Sequence, residues 1–247
     1  MNLQSICRQF NEDGFAIVRG VFTRDELAEL ERELDHYTRT IAPTLDPGEV
    51  YFEDSPTRPI KSMFRMDKRS NTFRALLDDA RLLDLGRAVY EGADVTLQTI
   101  MFFGKPAQDG SEAPPHQDNA FQCWEPPESL TFTIAIDAST ADNGILICQK
   151  GSHRLGLLPH RPSGLMGFSQ TLIDPVDSAK FPEVALCMEP GDLCLHSIDA
   201  VHRSSPNRTN RSRRQLAVAC HSSRAGQNQE SLARNRKLLA KLHEQKR

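Results

Sequence analysis

The 247-residue chain carries 30 Lys and Arg against 33 Asp and Glu, a net charge of −3, with 38% hydrophobic and 26% charged residues. That balance excludes a nucleic-acid binder acting mainly through phosphate neutralisation, which needs a basic excess, and a disordered chain, which has fewer apolar residues. Cys7, Cys123, Cys148, Cys187, Cys194 and Cys220 form no CxxC pair, and no apolar leader or run of about 18 apolar residues occurs, so a cytoplasmic protein with reduced thiols and no membrane span is expected. Residues 15–21 (FAIVRGV) are short and apolar, as a strand is. Thr23 and Glu26 stand at capping-box spacing and predict a helix of about 15 residues with Leu27, Leu30 and Leu34 on one face. A loop rich in proline and acidic residues from 42 to about 59 precedes a second helical stretch over roughly 71–91, with Phe73, Leu76, Leu77, Leu82, Leu83, Leu85 and Val89 as one buried stripe. These helices read as a supporting region over about 1–94.

From 95 onward the period changes. Strand-like runs at 95–103, 130–136, 144–149, 184–188, 192–197 and 214–220 are separated by turn-forming segments. They predict a β core over about 95–222, a barrel or a sandwich, and residues of about 229–245 return to helix. One domain spanning 1–247 accommodates all of it.

The strongest chemical signal is Pro115-His116-Gln117-Asp118. On an extended backbone residues i and i+2 point the same way, so one imidazole and one carboxylate can chelate a single ion, and a second imidazole completes the set used by non-haem Fe(II) oxygenases. His-x-Asp also arises as a surface hydrogen-bonded pair. Downstream, Pro190-Gly191-Asp192 opens a segment holding His196 and His202, with Arg213 eleven residues after His202. His196 reads as a neighbour of the site. An arginine there can grip a carboxylate through two parallel charge-assisted hydrogen bonds, while Arg203, Arg208, Arg211, Arg213 and Arg214 can equally form a solvated basic loop.

Taken in order, His116-Gln117-Asp118, the LTFTIAID run at 130–137, Asp142-Asn143-Gly144, Gly151-Ser152-His153-Arg154-Leu155-Gly156, Pro190-Gly191-Asp192 and His202, Ser204, Asn207 and Arg213 resemble the phytanoyl-CoA dioxygenase family. The likeness runs from Asp13 to about Ala219. It implies a mainly β fold with supporting α-helices, a double-stranded β-helix or jelly roll of the cupin type, and a non-haem Fe(II)- and 2-oxoglutarate-dependent dioxygenase. By the same resemblance His116, Asp118 and His202 bind the metal. Arg213 takes the C5 carboxylate of 2-oxoglutarate with Ser204 beside it, and Met101, Thr133 and Lys61 line the cosubstrate pocket. Lys105, in Gly104-Lys105-Pro106, matches a position read as structural. Thr133 stands where many relatives carry Trp, which makes that wall smaller and adds a hydroxyl. Halogenating relatives have a small residue in place of the carboxylate, so Asp118 favours hydroxylation.

The substrate is expected over the face between the 42–70 segment and the loop after Asp118, where Asn119, Phe121, Trp124 and Arg65 are the candidate contacts. Trp124 can also simply anchor its loop. No extended basic surface suits a coenzyme A nucleotide, which favours a small polar metabolite such as an organophosphonate, an amino acid derivative or a natural-product scaffold. An acyl-CoA hydroxylase, a Zn hydrolase built from the same ligands and a catalytically silent binding protein are the competing readings.

Overall fold

The computed structural model describes residues 2–165 and 167–245. Two antiparallel sheets face each other. The larger has seven strands, in the order Phe15–Val18, Leu193–Ser197, Ser129–Ala135, Arg213–Ser222, Val95–Lys105, Ile60–Met63 and Val50–Phe52. The smaller has four, in the order Glu183–Ala185, Leu146–Gln149, His202–Ser204 and Ala113–His116. From Val95–Lys105 onward the chain crosses repeatedly between the two sheets, with Leu146–Gln149 and Glu183–Ala185 both in the smaller, which makes the expected double-stranded β-helix.

The period of two divides the larger sheet into an outer and an inner face. On Ser129–Ala135, Leu130, Phe132 and Ile134 pack outward with the helices, while Thr131 and Thr133 line the interior. On Arg213–Ser222, Leu216 and Val218 join the same outer cluster, whereas Arg213, Gln215 and Ala217 turn inward. Val95–Lys105 switches faces once, because the register moves between Ala219↔Thr99 and Cys220↔Leu97 and leaves Gln98 as an extra residue. That bulge lets both Leu97 and Ile100 reach the outer cluster and turns Met101, Phe103 and Lys105 toward the interior.

The helices covering the outer face follow the sequence pattern in part. Thr23 caps Arg24–His36 through a capping box, with its amide donating to Glu26 Oε2 at 2.7 Å and its Oγ1 accepting from the Glu26 amide at 3.3 Å. Leu27, Leu30 and Leu34 are buried. An additional helix, Leu3–Asp13, precedes the first strand and contributes Ile6 and Phe10 to the cluster. The expected single helix over 71–91 is broken into Asn71–Ala75, the turn Leu76–Asp78 and Ala80–Val89. Asp79 causes the break by capping the last piece: it accepts from the Arg81 amide at 2.9 Å and then chelates the Arg81 guanidinium. The expected loop over 42–59 contains strand Val50–Phe52, paired with Ile60–Met63. A hairpin of His160–Leu165 and Phe168–Leu172 carries no clear strand signal in the sequence.

Phe132 is fully buried at the junction of helices and sheet. Phe132→Ala is expected to cost about 3–5 kcal/mol, measurable as a lower urea midpoint with an unchanged m-value.

Candidate active site

His116 closes strand Ala113–His116 and His202 opens strand His202–Ser204, and the two are direct partners across the antiparallel ladder. Their ring centroids lie 4.2 Å apart. Each ring is oriented by the backbone carbonyl two residues before it: His116 Nδ1 lies 2.7 Å from Pro114 O, and His202 Nδ1 lies 3.0 Å from Ala200 O. A proton on Nδ1 donates to that carbonyl and leaves the Nε2 lone pair free for a metal. Both Nε2 atoms face Asp118 Oδ1, at 3.7 Å from His116 and 3.5 Å from His202. One donor atom from each of the three residues lies within 4.8 Å of the others.

Asp118 lies two residues beyond His116, where strand Ala113–His116 ends. Its backbone is helical (φ −58°, ψ −30°), immediately before the short helix Asn119–Gln122. His196 Nε2 approaches the other oxygen, Oδ2, at 3.3 Å. Burial pushes His116 below the usual histidine range and His202 down to about 3. Burial alone would raise the Asp118 carboxyl, but the surrounding imidazoles hold it well below its ordinary value. At neutral pH the cluster is therefore two neutral imidazoles and one carboxylate, a donor set suited to non-haem Fe(II).

Gln117, between the two candidate ligands, is fully buried. Its amide donates to Gly156 O at 2.8 Å and Asp199 O at 2.7 Å and accepts from the Leu158 amide at 2.8 Å. The Gly-Ser-His-Arg-Leu-Gly motif is thereby tied to the turn preceding His202.

The cluster opens into a cavity of about 430 Å³ whose far end is cationic. Arg213 is 3% exposed and donates to Gly144 O at 2.8 Å, Gln215 Oε1 at 2.6 Å and Phe103 O at 3.3 Å. It forms no ion pair among the described residues, its Nε is buried without a partner, and burial lowers its guanidinium to about 10. Gly144 has a φ of +92°, and a Cβ there would come within 2.8 Å of Lys105 Cγ, so glycine is needed to present the carbonyl that Arg213 grips. A buried cation with no carboxylate in contact is costly, and a ligand carboxylate would relieve it. The pocket therefore fits a dicarboxylate anchored at Arg213. Ser204, Met101, Thr133 and Lys61 line the same cavity. Lys61 donates to Ser111 Oγ at 2.7 Å and lies 3.8 Å from Glu53 Oε2. Lys105, the cross-strand partner of Arg213, also lines the cavity and donates to Ser111 O.

The substrate candidates divide. Phe121 and Arg65 line the cavity, and the Arg65 side chain, 62% exposed, pairs with Glu49 at 3.6 Å. Asn119 and Trp124 do not line it. Asn119 Oδ1 accepts from the Trp124 amide at 2.8 Å, and the buried indole stacks on His221 at 4.1 Å, so both serve to fasten the loop to the sheet. Phe168, absent from the sequence expectations, is brought by the unforeseen hairpin to 5.7 Å from the His116 ring and 6.4 Å from Phe103, centroid to centroid. Thr131 was also missed, although it shares inward parity with Thr133 and was legible on that ground.

A family model described as Phytanoyl-CoA dioxygenase (PhyH) matches residues 10–215. The chain belongs to the phytanoyl-CoA dioxygenase family. With this membership goes the reaction class the motifs implied, oxidation by a non-haem iron and 2-oxoglutarate-dependent dioxygenase. Among its relatives, the ectoine dioxygenase of Sphingopyxis alaskensis is 27% identical over 217 residues, covering 81% of this family member and 69% of that protein. A protein of Stutzerimonas stutzeri named probable alpha-ketoglutarate-dependent hypophosphite dioxygenase is 26% identical over 218 residues, covering 85% of this chain and 76% of its own length. Other matches are shorter: this chain spans 48% of the ectoine dioxygenase of Streptomyces coelicolor. The solved structure of the non-heme monooxygenase ThoJ in its apo form shares the fold, with a TM-score of 0.76 over 97% of this chain and 99% of that one at 18% identity. Among the described residues no helix is long and apolar enough to cross a membrane.

Proposed function

We propose that this phytanoyl-CoA dioxygenase family member is a single-domain, cytoplasmic hydroxylase of a C–H bond in a small polar metabolite. His116, Asp118 and His202 hold Fe(II), and Arg213 holds 2-oxoglutarate by its far carboxylate. The observation carrying this reading is that the buried, ion-pair-free Arg213 and the two-histidine, one-carboxylate cluster open into one cavity. A hydrolytic zinc site would have no use for such an arginine. When bound, the iron with 2-oxoglutarate and O2 supplies the oxidising chemistry, with release of succinate and CO2.

The chain's own contribution is placement and exclusion of water. The carbonyls of Pro114 and Ala200 keep both Nε2 lone pairs aimed at one point. Phe64, Phe103, Phe121 and Phe168 form an apolar wall around the reacting region, which keeps bulk water from it. Ser204 lines the same cavity as the Arg213 clamp, and Thr133 leaves room where a Trp would intrude.

Size supports a small substrate. Ligand pockets usually run from roughly 300 to 1,000 Å³, and this cavity of about 430 Å³ also accommodates the cosubstrate. An acyl-CoA would have to lie mostly outside it. The relatives named for ectoine and hypophosphite support the same choice. An organophosphonate, an amino acid derivative or a natural-product scaffold each fits.

Anaerobic protein loaded with Fe(II) and 2-oxoglutarate is expected to develop a weak visible charge-transfer band, bleached by a chelator. In air a panel of small polar compounds should contain one that stimulates succinate formation. Iron-loaded protein with neither the band nor succinate would sink the oxygenase reading.

A further inference from the structure

The two oxygens of Asp118 have different neighbours. Oδ1 faces the Nε2 atoms of His116 and His202 at 3.7 and 3.5 Å. Oδ2 accepts a hydrogen bond from Thr131 Oγ1 at 2.8 Å and meets His196 Nε2 at 3.3 Å. Thr131 and His196 are direct partners across the antiparallel strands Ser129–Ala135 and Leu193–Ser197, so their side chains stand together on the inward face of the larger sheet. That sheet thus reaches across the interior to hold a carboxylate belonging to the segment that follows the smaller one.

Resting on the function proposed above, we propose that Thr131 and His196 are positioning residues that reserve Oδ2 of Asp118 and leave Oδ1 as the only oxygen presented to the metal. The need for them follows from the backbone. Asp118 has left its strand and precedes a helix of only four residues, with no hydrogen bond from its side chain into that helix. Without the two donors the carboxylate could rotate about Cβ–Cγ and offer both oxygens to one ion. A second bound oxygen would take one of the three positions that two histidines and one carboxylate oxygen leave open. The keto acid and O2 together require all three.

The tautomer of His196 is consistent with this role. Among the described residues its Nδ1 is buried without a partner, so the ring proton belongs on Nε2, where Oδ2 is within reach as acceptor. Thr131 contributes the shorter contact and is the cleaner probe, because valine preserves its shape and removes only the hydroxyl.

The experiment compares wild type, Thr131→Val and Thr131→Ser as full-length proteins. It measures Fe(II) affinity under anaerobic conditions, the charge-transfer maximum with 2-oxoglutarate, and the melting temperature of the metal-free protein. Removing a residue that orients a metal ligand typically weakens metal binding by about 10–100-fold, and Thr131→Val is expected in that range with a shifted charge-transfer maximum and an unchanged metal-free melting temperature. Thr131→Ser, which keeps the donor, should restore both iron affinity and band position. Should Thr131→Val fail to fold, His196→Asn replaces it, with the same loss expected. Wild-type affinity and spectrum in the valine variant would overturn the positioning role while leaving the oxygenase reading intact. Wild-type protein that binds no Fe(II), or binds it equally well after His202→Ala, would instead overturn the reading on which the role rests.

Discussion

Arg213→Ala is expected to raise the 2-oxoglutarate concentration for half-maximal succinate formation by roughly 30-fold or more, since truncating one partner of a buried charged pair costs at least about 2 kcal/mol. The reason lies in the neighbours of the guanidinium. Arg213 is fixed by three acceptors, Gly144 O, Gln215 Oε1 and Phe103 O, none of which is charged. Asp137 acts on it only through space, without an ion pair among the described residues, so a carboxylate in direct contact would come from a ligand. Arg213→Lys should be intermediate, because it retains charge but loses the planar fork. Arg214→Ala is the control. Its side chain lies on the other face of the same strand, where it chelates Asp137 at 2.9 and 2.8 Å and pairs with Glu31 at 2.7 Å. Its loss should lower the melting temperature while the 2-oxoglutarate requirement stays near the wild-type value. Equal effects of the two substitutions on that requirement would leave the clamp unassigned.

His202→Ala is expected to abolish iron retention through desalting, with affinity falling beyond the roughly 10–100-fold typical of removing a residue that only orients a ligand. His196→Ala should fall within that range and keep measurable iron. The distinction rests on which nitrogen points where. His202 is locked by Ala200 O so that Nε2 faces Asp118 Oδ1 and the His116 ring, whereas His196 directs its Nε2 at Oδ2. Iron content and the anaerobic charge-transfer band would read both variants. Iron retained by His202→Ala and lost by His196→Ala would reverse the assignment.

How far these residues were legible depended on the range of the interactions involved. The capping box of Thr23 and Glu26 is a contact between residues three apart, and the structure reproduces it. The strand-like runs at 130–136 and 214–220 are buried on nearly every residue of both faces, and the strands lie where those runs place them, to within a residue or two. The continuous stripe over 71–91 misled because hydrophobic spacing alone does not register that Asp79 bonds more favourably as a cap than as an interior helical residue. The i,i+2 argument for His116 and Asp118 named neighbours that the structure brings together, although the strand ends at His116 and the backbone is helical from Asp118 onward. Asn119 and Trp124 were drawn toward the site by adjacency in sequence, yet the same turn directs them to His221 and to each other.

The sequence by itself determined the β-helical fold class, the family and the iron and 2-oxoglutarate chemistry, and it supplied the residues proposed for them, because ordered motifs and strand periodicity are written in short segments. Only the tertiary structure decided that His116 and His202 face each other across a ladder, that Arg213 is buried with no ion pair among the described residues, that Phe168 closes the wall, and that Thr131 and His196 share one oxygen of Asp118. Each of these depends on cross-strand register and on which groups are removed from water, and residues distant in the chain set both.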